Sequence, residues 1–178
     1  SLSVTTAALT VTASNATKVY GSPNPAFSAG FSGFVLSQDA TVLTGTLSFA
    51  TAATDSSAVG SYAITPSGLS SANYAISYVD GSLSVTLASL TITANDATKS
   101  FGTANPAFSA SYSGFVLGED ESDLTGTLTF ATAATDSSPV GSYAITPSGL
   151  GSTNYAISYV DGSLSVTSAA VTVTVNGA

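Results

Sequence analysis

The chain has no cysteine, histidine, methionine or tryptophan, and its only basic residues are two lysines. Without cysteine it forms neither a disulfide nor a thiolate metal site. Without histidine and cysteine it lacks the nucleophile and base pairs of hydrolytic triads and the imidazole ligands of many metal enzymes. The sequence contains no run of about 18 apolar residues, so we predict no membrane insertion.

Charged residues are also scarce. They make up 7% of the 178 residues, against about a quarter in an average soluble domain. Ten acidic residues and two lysines give a formal net charge of −8, which leaves almost nothing to neutralise phosphate groups. We therefore predict that nucleic acid is not a partner. The hydrophobic content of 44% is too high for a disordered tail and predicts a folded chain.

Carboxylates are the catalytic groups that remain, since a pair of them is enough for glycoside hydrolysis. Asp55 and Asp136 occur in T-D-S-S segments, which are typical of turns. Asp80 and Asp161 each precede a glycine, which is equally typical of turns. Turn geometry accounts for all four aspartates, so we predict that the chain is not an enzyme.

The dominant feature of the sequence is a repeat with a period of 81 residues. Gly21 of the first copy corresponds to Gly102 of the second, and the same offset holds for every other matched position, without insertion or deletion. Such a period indicates a tandem array of one structural unit. We predict two small domains, at 8–88 and 89–169, each large enough to be a separate fold.

Both ends of the chain continue the repeat. The opening S-L-S-V-T occurs again at 82–86, so we predict that residues 1–7 are the tail of a preceding repeat. The closing V-T-V-T-V has the phase of L-T-V-T-A at 9–13, so residues 170–178 are predicted to begin the next one. We expect neighbouring repeats as partners and a monomeric fragment. Because only residues 86–89 join the two copies, the joint is predicted to be stiff and to favour an extended rod.

Apolar and polar residues alternate within each copy, which is typical of half-buried strands. Leu9, Val11 and Ala13, for example, alternate with threonines. The Asp-Gly pairs at 80–81 and 161–162 lie between two such runs and predict β-hairpin turns. Six or seven short strands per copy predict an all-β fold of two tandem domains, each an immunoglobulin-like sandwich.

One segment of each copy predicts a single helical turn. Asp39 and Asp120 are suited to cap turns that end near Leu43 and Leu124. If this turn packs on one sheet, a β-grasp-like roll is the alternative to the sandwich. The alternation of residues leaves the strand order open.

Lysine and tyrosine recur at the repeat period. Lys18 and Lys99 lie at loop starts, where an exposed or salt-bridged side chain is expected. The tyrosines share a face with Ile64, Ile76 and Leu83, which favours packing in the core over a platform for sugar stacking. These tyrosines are Tyr62, Tyr74 and Tyr78, with Tyr143, Tyr155 and Tyr159 in the second copy.

The second copy carries an acidic segment that the first copy lacks. Its four carboxylates are those of Glu119, Asp120, Glu121 and Asp123. Clustered oxygen ligands make this segment a candidate Ca²⁺ site, although the spacing is not that of an EF-hand. The alternative is a solvated acidic loop or a capped helical turn. No other cofactor is predicted.

Five short motifs recur in both copies. In the first copy they are K-V-Y-G-S-P-N-P-A-F at 18–27, G-F-V-L at 33–36, L-T-G-T-L at 43–47, V-G-S-Y-A-I at 59–64 and N-Y-A-I-S-Y-V-D-G-S-L-S-V at 73–85. Both copies thereby resemble the MBG-type domain with a Tyr-Gly signature. The second copy departs from the pattern at Phe101, which replaces Tyr20.

The resemblance implies a location and a role. Domains of this type occur in tandem in large bacterial surface adhesins, filamentous-haemagglutinin-like proteins and biofilm-matrix proteins. The chain is thus expected outside the cell, as structural stalk or spacer repeats that project a binding region. The alternative is that the repeats themselves bind glycan, mucin or matrix polysaccharide, or self-associate.

Overall fold

The computed structural model describes residues 1–174. Residues 175–178, the end of the segment predicted to begin a further repeat, lie outside the described residues. The chain divides into two compact units, the first ending at Ala88 and the second beginning at Ser89. The repeat boundaries at 8–88 and 89–169 stay a prediction.

Within residues 1–174, each unit contains seven β-strands. The first unit has β1 (Ala7–Ala13), β2 (Ala16–Val19), β3 (Ala29–Ser32), β4 (Thr44–Ala50), β5 (Gly60–Ser70), β6 (Tyr74–Val79) and β7 (Gly81–Thr86). The second has β8 (Ala88–Ala94), which begins at the last residue of the first unit, β9 (Ala97–Ser100), β10 (Ala110–Ser113), β11 (Thr125–Ala131), β12 (Gly141–Gly151), β13 (Tyr155–Val160) and β14 (Gly162–Thr167). The predicted all-β fold in two tandem units is confirmed.

The strands of each unit form one three-stranded and one four-stranded sheet. In the first unit the orders are β3-β1-β6 and β2-β7-β5-β4. The second unit repeats them as β10-β8-β13 and β9-β14-β12-β11. In the first unit the pairs β1/β6 and β2/β7 are parallel, and the other three pairs are antiparallel.

The core of each unit lies between the two sheets. Leu9 and Val11 of β1 are fully buried, as are Ile64 of β5 and Leu83 of β7. They occupy alternate positions, so each strand presents one apolar face to the other sheet. Complete burial of a side chain of this size contributes about 1.5–3 kcal/mol. The alternation seen in the sequence therefore identifies the core correctly.

The Asp-Gly pairs do not form hairpin turns, which corrects the prediction made for them. β6 ends at Val79 and β7 begins at Gly81, and the two strands belong to different sheets, so the chain crosses at Asp80 from one sheet to the other. Gly81 is not among the residues with positive φ. A Cβ on Gly81 would come within 2.6 Å of the carbonyl oxygen of Ala13. Glycine is required because two backbone segments approach each other closely.

The predicted helical turns are confirmed. A short 3-10 helix spans Ala40–Val42, and the Asp39 side chain caps it by accepting from the backbone N–H of Thr41 at 2.9 Å. The equivalent turn in the second unit is Glu121–Asp123, capped by Asp120. Neither turn contains a buried residue, so neither packs on a sheet in the way that the β-grasp alternative requires.

Candidate functional site

The first and last segments of each unit pair in parallel. In the first unit, Ala7 of β1 pairs with Tyr74 of β6, and Val19 of β2 pairs with Thr86 of β7. In both sheets each residue pairs with the residue 67 positions later in the chain, so the register is the same in both sheets. We call this pairing of residues 7–19 with residues 74–86 the terminal ladder.

The terminal ladder keeps its register where the chain changes sheets. At this junction the Oδ1 atom of Asn15 accepts a hydrogen bond of 2.9 Å from the backbone N–H of Ser82. In the second unit, Oδ1 of Asp96 accepts from Ser163 N–H at 2.8 Å. Asparagine and aspartate side chains both carry an Oδ1 acceptor, which explains why either residue serves at this position. Sequence reasoning missed the contact because the residues are far apart in the chain.

The second unit forms the same ladder. Ala97 of β9 pairs with Leu164 of β14, again with a partner number 67 higher. β8 and β13 are neighbours in the other sheet, where Thr91 Oγ1 lies 3.2 Å from Ser158 Oγ. Both units therefore have their first and last segments side by side and in the same direction.

The direction of the terminal ladder separates the two ends of a unit. The chain enters the first unit beside Tyr74 and leaves it beside Val19, at the opposite end of the ladder. Fully extended, the thirteen residues of one segment span at most about 40 Å, since each contributes about 3.3 Å. Each unit therefore carries the chain forward by the length of its own terminal ladder.

A buried lysine joins two loops to β2. Lys18 is 6% exposed, and its Nζ donates to the carbonyl oxygens of Ser22 at 3.0 Å and Thr54 at 2.5 Å. Lys99 makes the same pair of bonds to Thr103 and Thr135, at 3.0 and 2.5 Å. The expectation that these lysines are exposed was wrong, because each ammonium group is buried and bonded to backbone carbonyl oxygens.

An asparagine side chain lies beside this lysine in the fold. Nδ2 of Asn24 donates to the carbonyl oxygen of Ala53 at 2.7 Å, one residue before the carbonyl that Lys18 holds. The Oδ1 atom of Asn24 is buried without a hydrogen-bond partner, and so is that of Asn105. Lysine and asparagine together anchor the loop between β4 and β5. The arrangement is structural, because each donor ends on a backbone oxygen.

The tyrosine hydroxyls bind the backbone of their own unit. Tyr78 OH donates to the carbonyl oxygen of Leu69 at 2.9 Å and accepts from its N–H at 2.7 Å. Tyr74 is buried, and its hydroxyl accepts from the N–H of Val35 at 3.1 Å. Tyr62 OH donates to a loop carbonyl oxygen at 2.9 Å. These contacts agree with packing in the core rather than with a platform for sugars.

The four carboxylates of the candidate calcium site have different partners. Asp120 caps the 3-10 turn, and Asp123 Oδ2 accepts from the N–H of Asp120 at 2.9 Å. Glu119 accepts from the hydroxyl of Tyr155, and Glu121 lies near enough to Tyr112 to raise the pKa of that phenol. Across residues 1–174 no group of three or more acidic side chains is placed to hold a metal ion. Calcium binding stays a prediction that titration calorimetry tests.

The acidic residues of the second unit occur together with tyrosines. Where the second unit has Tyr112 and Glu121, the first has Phe31 and Ala40. The second unit has thus gained both a phenol and a carboxylate that interact electrostatically. Sequence comparison of the two copies shows both changes, but only the fold shows that the two side chains meet.

We expect the chain to lose stability as the pH rises above 10. Burial, and then the hydrogen bond to Glu119, raise the pKa of Tyr155 above 10.0. Burial, and then the interaction with Glu121, do the same for the pKa of Tyr112. Because each folded pKa exceeds the unfolded value, the stabilisation is complete below pH 10 and is lost as the pH rises through the folded pKa. Urea unfolding at a series of pH values measures this loss.

The first unit supplies the control for this prediction. The double variant Tyr112→Phe, Glu121→Ala restores the pair found in the first unit, and we expect it to weaken the dependence on pH. A free energy of unfolding that stays level as the pH passes beyond 10 would contradict the prediction.

A family model described as MBG domain (YGX type) matches residues 9–84 and again residues 90–165. No curated protein matches the chain. Among residues 1–174, no helix has the length and apolar character needed to cross a bilayer.

Proposed function

We propose that this chain, which belongs to the MBG domain family of the YGX type, consists of spacer repeats that hold a binding region away from a bacterial cell. The family match to both copies supports a repeat region of the kind found in surface adhesins. The site of action in this proposal is outside the cell, in an adhesin or a biofilm-matrix protein. Its first partners are neighbouring repeats, and it performs no catalysis.

The observation that carries the proposal is the direction of the terminal ladder. A spacer is efficient when each repeat moves the chain forward by a large part of its own length. Parallel pairing of the first and last segments does this, because the chain enters at Ala7 and leaves at Thr86, at opposite ends. An antiparallel pairing of the same two segments would return the chain to its starting end.

The charge and the side chains support the same role. A net charge of −8 with two buried lysines leaves the surface without exposed basic side chains for anionic polymers. The hydroxyls of Tyr62, Tyr74 and Tyr78 are used within their own unit. Each unit adds length to the array, so the number of repeats determines how long the array is.

Small-angle scattering tests the spacer role. We would compare this chain with an array that continues it by two further copies. The maximum dimension is expected to rise by as much as about 40 Å for each added copy, the fully extended length of one ladder segment. An increase of less than half that value would contradict the proposal, because each added copy would then increase the mass of the array without extending it.

A glycan array separates this proposal from the alternative. If the repeats are spacers, the labelled chain gives no reproducible signal on host or matrix polysaccharides. Signals that recur for one class of glycan would favour direct binding by the repeats, in which many weak sites act together along one array.

A further inference from the structure

We propose that each unit is also a tensile element, in which force applied along the chain loads the terminal ladder in shear. This goes beyond the spacer role, because a spacer needs only length, whereas a tensile element has to stay folded under load. The inference rests on the topology of a single unit. It requires nothing of the arrangement of the two units.

The parallel direction of the ladder determines how force acts on it. A pull on the preceding chain acts on Ala7, at the end of the ladder beside Tyr74. A pull on the following chain acts on Thr86, at the end beside Val19. The two segments are therefore dragged past each other along their common axis. All ladder hydrogen bonds are strained together, whereas an antiparallel pair pulled from one end opens one bond at a time.

The strands that receive the force lie inside their sheets. β1 is the central strand of its sheet and pairs with β3 as well as with β6. β7 lies between β2 and β5 in the other sheet. To leave its sheet, each of these strands has to break the hydrogen bonds on both of its sides. The equivalent strands β8 and β14 have the same positions.

Side chains reinforce the terminal ladder at three levels. In the β1/β6 part, Thr10 Oγ1 lies 3.3 Å from Ser77 Oγ. At the junction, Asn15 holds the N–H of Ser82. In the β2/β7 part, Thr86 Oγ1 donates to the carbonyl oxygen of Lys18 at 3.2 Å.

The second unit has the same three contacts. They are Thr91 with Ser158, Asp96 with Ser163, and Thr167 with the carbonyl of Lys99. Each joins the first segment to the last, so each resists the same sliding motion. The contact survives at the junction even though asparagine is replaced by aspartate, because the accepting oxygen is retained.

Single-molecule force spectroscopy in two pulling directions tests the inference. The chain has no cysteine, so Ala72→Cys provides a single attachment point at an exposed position beside the start of β6. Pulling between the N-terminus and Cys at position 72 peels β1 from β6 from one end. Pulling between the two termini loads the ladder in shear. At the same loading rate, we expect the shear force for unfolding to be severalfold higher than the peeling force.

The same variant serves as its own control. With its cysteine blocked and pulled through the termini, it should show two unfolding events, each lengthening the chain by about 250 Å. Its melting temperature should equal that of the unmodified chain, which shows that the attachment does not weaken the fold. Equal forces in the two directions would overturn the inference. The spacer role would survive that result, because scattering measures it independently.

Discussion

Replacing Lys18 with methionine is expected to lower the free energy of unfolding of the first unit by about 2–4 kcal/mol. Methionine fills nearly the same volume, so little of the loss comes from a cavity. The loss comes from the carbonyl oxygens of Ser22 and Thr54, which no longer have their shared donor. Leaving a buried acceptor unsatisfied costs about 1–3 kcal/mol, and here there are two.

Differential scanning calorimetry measures this effect with the second unit as reference. For a domain of this size, a loss of 2–4 kcal/mol lowers the melting temperature by roughly 10–25 °C. We expect one transition to move and the transition of the other unit to stay. Lys99→Met should reverse the pattern, since Lys99 makes the same two bonds. A shift of only a few degrees would mean that water replaces the ammonium group.

The sequence contains one signal for this buried lysine, but a weak one. Lys18 has the same phase as Ala16 and Tyr20, and in a strand that phase places all three on the inward face. Lysine is nevertheless rarely buried, so its residue type predicts the surface. The carbonyls that enclose it come from loops before β3 and before β5. Which loops meet around β2 depends on the sheet order, and alternation carries no information about that order.

Sequence reasoning succeeds for local structure because the causes are local. The side chain of Asp39 caps a turn two residues away, and the alternation in β1 assigns Leu9 and Val11 to the core. Sequence reasoning fails where two segments that are distant in the chain pair with each other. A period of two residues states which face a side chain occupies, but not which strand lies beside it.

The terminal ladder and the Asp-Gly correction show this limit together. An Asp-Gly pair between two alternating runs predicts a hairpin when the two runs are neighbours in one sheet. Here the runs on either side of Asp80 pair instead with the first segment of the unit, 67 residues earlier. The pairing that gives each unit its direction is therefore the feature that the sequence leaves open.

Gly68→Ala is expected to destabilise the first unit by about 3 kcal/mol or more. Gly68 lies at a β-bulge between β4 and β5, next to Leu69, which pairs with Gly45, and the φ of Gly68 is +95°. A Cβ at this position would lie 2.2 Å from the carbonyl oxygen of Thr46, which is backbone and cannot rotate away. Alanine is also strained at this φ, so the new residue adds backbone strain to the collision.

The neighbouring residue increases the cost of relieving the collision. Both backbone groups of Leu69 are bonded to the hydroxyl of Tyr78, at 2.7 and 2.9 Å. Moving the chain at Gly68 away from Thr46 shifts Leu69 and stretches these bonds. Calorimetry should therefore show the first unit melting more than about 12 °C lower, with the second unit unchanged.

Gly30→Ala is the matched control for this substitution. Gly30 lies in β3 of the same unit, a Cβ there would meet no atom within 4 Å, and the second unit carries Ser111 at that position. The unfolded chain has less conformational entropy with alanine than with glycine, so folding loses less entropy. The melting temperature should therefore stay the same or rise slightly. If both variants melt alike, the bulge accommodates a side chain and the fold does not require glycine at position 68. If only Gly68→Ala melts early, the close approach of β4 and β5 is what restricts position 68 to glycine.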